Sequence, residues 1–217
     1  MAPVQHPGSH TRPRQDRLVT VFFHYSLHGF ANVFLVGNDV TMEAVIVDPA
    51  AFTLGLLQFV EDKGYTVKAV LVTHGHARHI DGLRTLLRIY DAHVYSSNAT
   101  LGDIPCRMVT DGENFTVCGL AVQALSVPGH SADSMVYRFD KLLFTGDTLN
   151  AGLIGKTMSQ YGNKLLKEQL ARKVLSLSDD CLVLPGHGPP SSIGAEKLYN
   201  LGWKIPRNEV EHSEYRL

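Results

Sequence analysis

Four apolar runs in this chain end in a turn containing glycine or threonine, and each turn carries a side chain that can bind a metal ion. They are VLVTHGHARH (70–79), LSVPGH (125–130), LLFTGD (142–147) and LVLPGH (182–187). A run of this length and composition is expected to be a buried strand. A glycine just past its end lets the backbone pack closely while the next side chain projects from a rigid sheet edge. Four such edges can converge on one point and bring together His74, His76, His79, His130, Asp147 and His187. Imidazoles with one carboxylate suit zinc, iron or manganese, and a site with an open position makes a bound water reactive.

The rest of the chain is consistent with a soluble enzyme. Its 217 residues are 44% hydrophobic, enough for one well-filled domain, and its formal net charge is -1. With neither a basic surplus nor a basic run, nucleic acid and anionic membranes are not expected partners. No apolar run approaches the roughly 20 residues that cross a bilayer. The opening MAPVQHPGSHTRPRQD is polar, broken by prolines and without an apolar signal core, so residues 1–17 are expected to be a disordered leader to a single domain, 18–217. Cys106, Cys118 and Cys181 form no CxxC pair. They are expected to be buried thiols in a reducing, cytoplasmic setting.

Between the four turns the pattern alternates. LVTVFFH, NVFLVG and EAVIVD predict antiparallel strands, and Phe52, Leu56, Phe59 and Val60 a helix stopped near Gly64. Ile80, Leu83, Leu87 and Tyr90 predict a second helix, and Leu166, Leu170, Val174 and Leu177 a third. A hairpin is expected to turn near Asp140, between SMVYRFD and KLLFTGD. Strands followed by helices, twice over, predict an α/β architecture: two sheets packed face to face with helices outside.

These motifs resemble the metallo-β-lactamase superfamily, whose signature is HxHxDH, then a distant histidine, an aspartate in a GD turn and a last histidine. The resemblance runs from about residue 18 to about residue 203. The segments VFLVGNDVTMEAVIVDPA and LPGHGPPSSIGAEKLYN are most similar to its small glyoxalase II-like branch. It implies an αββα sandwich of two mixed sheets. It also implies a first metal site of His74, His76 and His130, a bridging Asp147, and a second site that includes His79 and His187. Asp48 has a family counterpart that supports the site without binding metal.

One departure governs the chemistry. Arg78 stands where the family has the aspartate of the second site. A guanidinium has five donors and no lone pair to offer a metal, so the local charge moves from -1 to +1. One tightly held ion is therefore expected, zinc first, with iron or manganese as alternatives and the second site weak or empty. Arg78 and Asp147 are assigned catalytic roles, Arg78 steadying a developing negative charge. The expected function is hydrolysis of a small, anionic thioester or activated ester. The chain ends soon after its last ligand, without the helical extension that grips glutathione in the family's full-length hydrolases, so glutathione thioesters are not the first choice. A mononuclear iron dioxygenase acting on persulfides and a non-catalytic anion-binding protein stay open at this point. Lys156 and Tyr161 are candidate substrate contacts. Asn163 is expected to cap the third helix, Asp81 to serve a helix start rather than the metal, and Tyr199 and Trp203 to pack.

Overall fold

The computed structural model describes residues 19–27 and 29–204. The leader expected over residues 1–17 lies outside them, as do His6, His10, His28 and His212. The chain opens with the meander β1 (Val19–Ser26), β2 (Ala31–Asn38) and β3 (Glu43–Val47), followed by α1 (Leu54–Lys63) and β4 (Thr66–Leu71). Thr53 caps α1, its side chain accepting from the Leu56 amide, and Gly64 closes it in the left-handed conformation. Then come α2 (Ala77–Ile80), α3 (Leu83–Ile89), β5 (His93–Ser96), a small ribbon of β6 (Thr100–Leu101) with β7 (Ile104–Pro105), and β8 (Arg107–Met108).

The second half repeats the plan. It runs β9 (Asn114–Val117), β10 (Leu120–Ser126), β11 (Met135–Phe139), β12 (Leu142–Gly146), a ribbon of β13 (Leu149–Asn150) with β14 (Leu153–Ile154), and α4 (Gln160–Gln169). α4 continues through a π-helical turn, Leu170–Val174. β15 (Leu182–Pro185), β16 (Ser191–Ser192), α5 (Ile193–Tyr199) and α6 (Leu201–Lys204) complete the described chain.

The strands form two six-stranded mixed sheets, ordered β1-β2-β3-β4-β5-β8 and β16-β15-β12-β11-β10-β9. In the first, the meander is antiparallel and β3, β4, β5 and β8 are parallel. In the second, β12 and β15 are the parallel pair. Alternation along the strands builds three apolar layers. Phe34, Val45, Leu71, Met135, Tyr137 and Phe144 fill the space between the sheets. Leu35, Ile46 and Val70 turn outward against Leu56 and Val60 of α1 and Leu83 and Leu86 of α3. Val136, Leu143 and Val183 do the same against Leu166, Leu170 and Val174. The result is the expected αββα sandwich. Among the described residues no helix is long and apolar enough to cross a membrane.

Four local expectations need correction. Ser159, not Asn163, caps α4: its backbone is extended and its Oγ accepts from the Gly162 amide at 3.0 Å. The second helix is broken in two at Gly82, whose amide is diverted to the Pro49 carbonyl, and the cap of α3 is that glycine, with Asp81 exposed one residue earlier. Cys118 and Cys181 are buried, but Cys106 is only half-buried because it lies between two-residue strands at the sheet edge. Trp203 packs against the third apolar layer, whereas Tyr199 at the end of α5 is 70% exposed.

Candidate metal centre

The strand ends converge as anticipated, at one edge of the sandwich. β4 runs out into Thr73 and His74, β10 into the loop carrying His130, β12 into Asp147 and β15 into His187. Two glycines allow this closeness. Gly146 has φ +49 and packs its α-carbon onto Thr73, where a side chain has no room. A Cβ on Gly186 would lie 2.5 Å from His79 Cε1 and 2.8 Å from Asp147 Oδ1.

Asp147 sits at the centre of the histidines. Its Oδ2 is 3.6 Å from His130 Nε2, 3.6 Å from His187 Nε2 and 4.0 Å from His74 Nε2, and its Oδ1 is 3.4 Å from His79 Nε2. His76 Nδ1 faces His130 Nε2 at 3.1 Å. Among the described residues two groups of three have ligand atoms close enough for one ion: His74, His76 and His130, and His74, His79 and Asp147. They share His74, so when that ring serves the first group the second keeps only His79, Asp147 and the adjacent His187.

Four of the five rings are held from behind by an oxygen. His130 Nδ1 donates to the Lys156 carbonyl at 2.8 Å, and His187 Nδ1 to the Phe30 carbonyl at 2.7 Å. His79 Nδ1 donates to Asp48 Oδ2 at 3.1 Å. Asp48 also accepts from the Thr73 amide at 2.7 Å and from Thr73 Oγ1 at 2.6 Å. With its proton committed to Asp48, Thr73 Oγ1 accepts from His74 Nδ1 at 3.1 Å. Each of these bonds turns the ring so that Nε2 faces inward, which is how proteins orient metal-binding histidines. Inside, His74 Nε2, His79 Nε2 and Asp147 Oδ1 are buried with no hydrogen-bond partner. Orphaned buried polar atoms are costly and call for an explanation. A divalent cation satisfies all three, so the donor set fits a metal.

Without an ion, the electrostatics pair the same groups with one another. Burial, and then the charge of His79, push His74 down to about 4, which keeps its ring neutral and ready to bind. Burial works to lower His79 too, but the Asp147 and Asp48 carboxylates outweigh it and hold it up at about 10. Burial works to raise Asp147, yet the charge of His79, 3.4 Å away, and the surrounding imidazoles keep it well below the usual carboxylate range. The pocket is an excess of cation-seeking groups.

Arg78 lies outside the ligand groups but lines the same cleft of about 400 Å³ with His76, Ala77, His79, Asp147 and His187. It is exposed, and among the described residues it makes no hydrogen bond or ion pair with a carboxylate. Of the two substrate candidates, Lys156 reaches the site through its carbonyl while its side chain is exposed, and Tyr161 is 76% exposed on α4. Neither lines the cleft. Thr73 and the Phe30 carbonyl were not anticipated.

The model of the metallo-beta-lactamase superfamily matches residues 28–105. An uncharacterized protein of Mycobacterium tuberculosis is 32% identical over 203 residues, covering 78% of this chain and 91% of that protein. The chain belongs to the metallo-beta-lactamase superfamily. Hydroxyacylglutathione hydrolase GloC of Haemophilus influenzae is 28% identical over 193 residues, covering 78% of this chain and 91% of that protein. Among solved structures, ETHE1 from Myxococcus xanthus superposes with a TM-score of 0.76 at 28% identity, covering 88% of this chain and 93% of that one. Superfamily membership and the geometry meet at the same place: the matched segment contains His74, His76, Arg78 and His79.

Proposed function

We propose that this superfamily member is a metal-dependent hydrolase of small thioesters or related activated esters, working with one ion, zinc as first choice, and with Arg78 in place of a second. The observation that carries this reading is the convergence of His74, His76 and His130 within reach of one ion beside Asp147, with a guanidinium in the adjoining cleft. The likeness to a hydroxyacylglutathione hydrolase supports the thioester class.

His74, His76 and His130 would hold the ion, with Asp147 beside them. When bound, such an ion supplies Lewis acidity and a water whose pKa falls toward about 7. The chain's own groups do the rest. The Asp147 carboxylate, too acidic to stay protonated, accepts a hydrogen bond from the attacking water and orients it. Arg78 offers charge-assisted hydrogen bonds to a carboxylate or to the oxyanion that forms as water adds to the acyl carbon. Cleavage of the C–S bond then yields a carboxylic acid and a thiol.

The test is thiol release by zinc-loaded protein from (acetylthio)acetate, an anionic thioester, and from neutral ethyl thioacetate. Both are expected to be cleaved. Arg78→Ala should raise KM for the anionic substrate by about 10- to 100-fold, the worth of one hydrogen bond to a charged group, and leave the neutral one nearly unchanged. Absence of thiol release from either substrate by protein shown to hold zinc would contradict the proposal.

A further inference from the structure

We propose that Asp133 is a positioning residue that sets the spacing of His74, His76 and His130 by tying together the backbone segments that carry them; this rests on the metal-centre reading above. Asp133 lies three residues beyond His130, in the loop between β10 and β11. Its Oδ2 accepts from the Gly75 amide at 2.9 Å and from Asn98 Nδ2 at 2.9 Å. Its main-chain carbonyl accepts from Ser97 Oγ at 2.8 Å. One residue of the second sheet's loop therefore receives donors from the ends of both β4 and β5 in the first sheet.

The bond to Gly75 matters most, because Gly75 sits between His74 and His76. That stretch belongs to no strand or helix, so no ladder holds it in place. His74 and His130 have oxygen partners behind their rings. His76 has none: the one hydrogen-bonding neighbour of its side chain among the described residues is the ring of His130, and that side chain is exposed. Its place in the metal centre must come from the backbone: the His79 amide holds the His76 carbonyl at 2.9 Å on the helix side, and the Asp133 carboxylate grips the Gly75 amide between the two ligands. Gly75 is part of the device, since a Cβ there would stand 3.2 Å from Asp133 Oδ2 and 3.4 Å from Leu101. Burial works against the Asp133 carboxylate, but its bonds with Ser131 and Gly75 keep it below its ordinary value, so it is an anion and a strong acceptor.

The experiment measures zinc affinity by chelator competition and the visible spectrum of the cobalt-substituted protein, for wild type, Asp133→Ala and Asp133→Asn. Asp133→Ala should weaken zinc by about 10- to 100-fold, the usual cost of losing a residue that orients ligands, and alter the cobalt bands. Asp133→Asn keeps an oxygen for the Gly75 amide and should stay within about threefold of wild type, a rescue that loss of general stability would not show. If Asp133→Ala does not fold, Gly75→Ala, crowding the same oxygen, should weaken zinc by about tenfold. Zinc affinity unchanged in Asp133→Ala or in Gly75→Ala, or an asparagine variant as weak as alanine, overturns the inference. A wild type that binds neither zinc nor cobalt overturns the metal-centre reading instead.

Discussion

Asp48 offers the sharpest test of how the site is held. It is 2% exposed, adopts φ +51 and accepts from three donors: the Thr73 amide, Thr73 Oγ1 and His79 Nδ1. Asp48→Ala removes the acceptor of all three and leaves the buried Thr73 amide and His79 Nδ1 without a partner. A hydrogen bond to a charged group contributes roughly 1.5–3 kcal/mol, but three on one carboxylate are not additive. Breaking a buried charged cluster costs about 3–5 kcal/mol, so about 4 kcal/mol is the reasonable value here. Alanine tolerates the left-handed backbone less well than aspartate, so relief of strain does not offset the loss. For a chain of this length about 4 kcal/mol lowers Tm by roughly 8–16 °C. Thermal unfolding of both proteins in EDTA measures it without the metal's own contribution. A drop smaller than about 3 °C would refute the reasoning, because it would mean that the three donors find water or do not need the carboxylate.

Three further outcomes are expected. Gly186→Ala places a methyl within 2.5 Å of His79 Cε1 and 2.8 Å of Asp147 Oδ1, and zinc affinity by chelator competition should fall at least about tenfold, the scale seen when ligand orientation is lost. Burial pushes the Cys118 thiol up to about 11, and Cys181 is 1% exposed, so at pH 8 a thiol reagent should label Cys106 first and the other two only on unfolding. In EDTA, stability should peak near pH 6.5. His79, held at about 10, contributes stability that is complete below 6.5 and is lost as pH rises through 10. His74, held at about 4, is instead charged only at a growing cost as pH falls from 6.5 to 4, so Tm should decline on both sides.

The fold was legible because its central strands are continuous apolar runs, and the alternation in β2 that sends Phe34 inward and Leu35 outward needs no tertiary information. The ligands were legible for a related reason. All but His79 follow such a run directly after a glycine or threonine, and strand ends at one edge of a sandwich have few places to go. What escaped was whatever depends on the main chain or on contacts between distant loops. The carbonyls of Phe30 and Lys156 fix two ligand rings, yet a carbonyl leaves no trace in residue type. Asp133 looks like any loop aspartate until the fold brings Gly75 and Asn98 to it. Asn163 drew the cap assignment although Ser159, also a good cap, begins the helix earlier. Arg78 was legible as a charge, but not that its Cβ and Cγ lie against the backbone of Gly29, where a Cβ would come within 3.2 Å.

The central claim is that Arg78 leaves this centre with one ion, and metal content measures it directly. Purified wild-type protein and Arg78→Asp, each loaded with excess zinc and freed of loosely bound metal, would be compared by elemental analysis. The account predicts about one zinc per wild-type chain and about two in the variant, where a carboxylate joins His79, His187 and Asp147. Two tightly held ions in the wild type would contradict it.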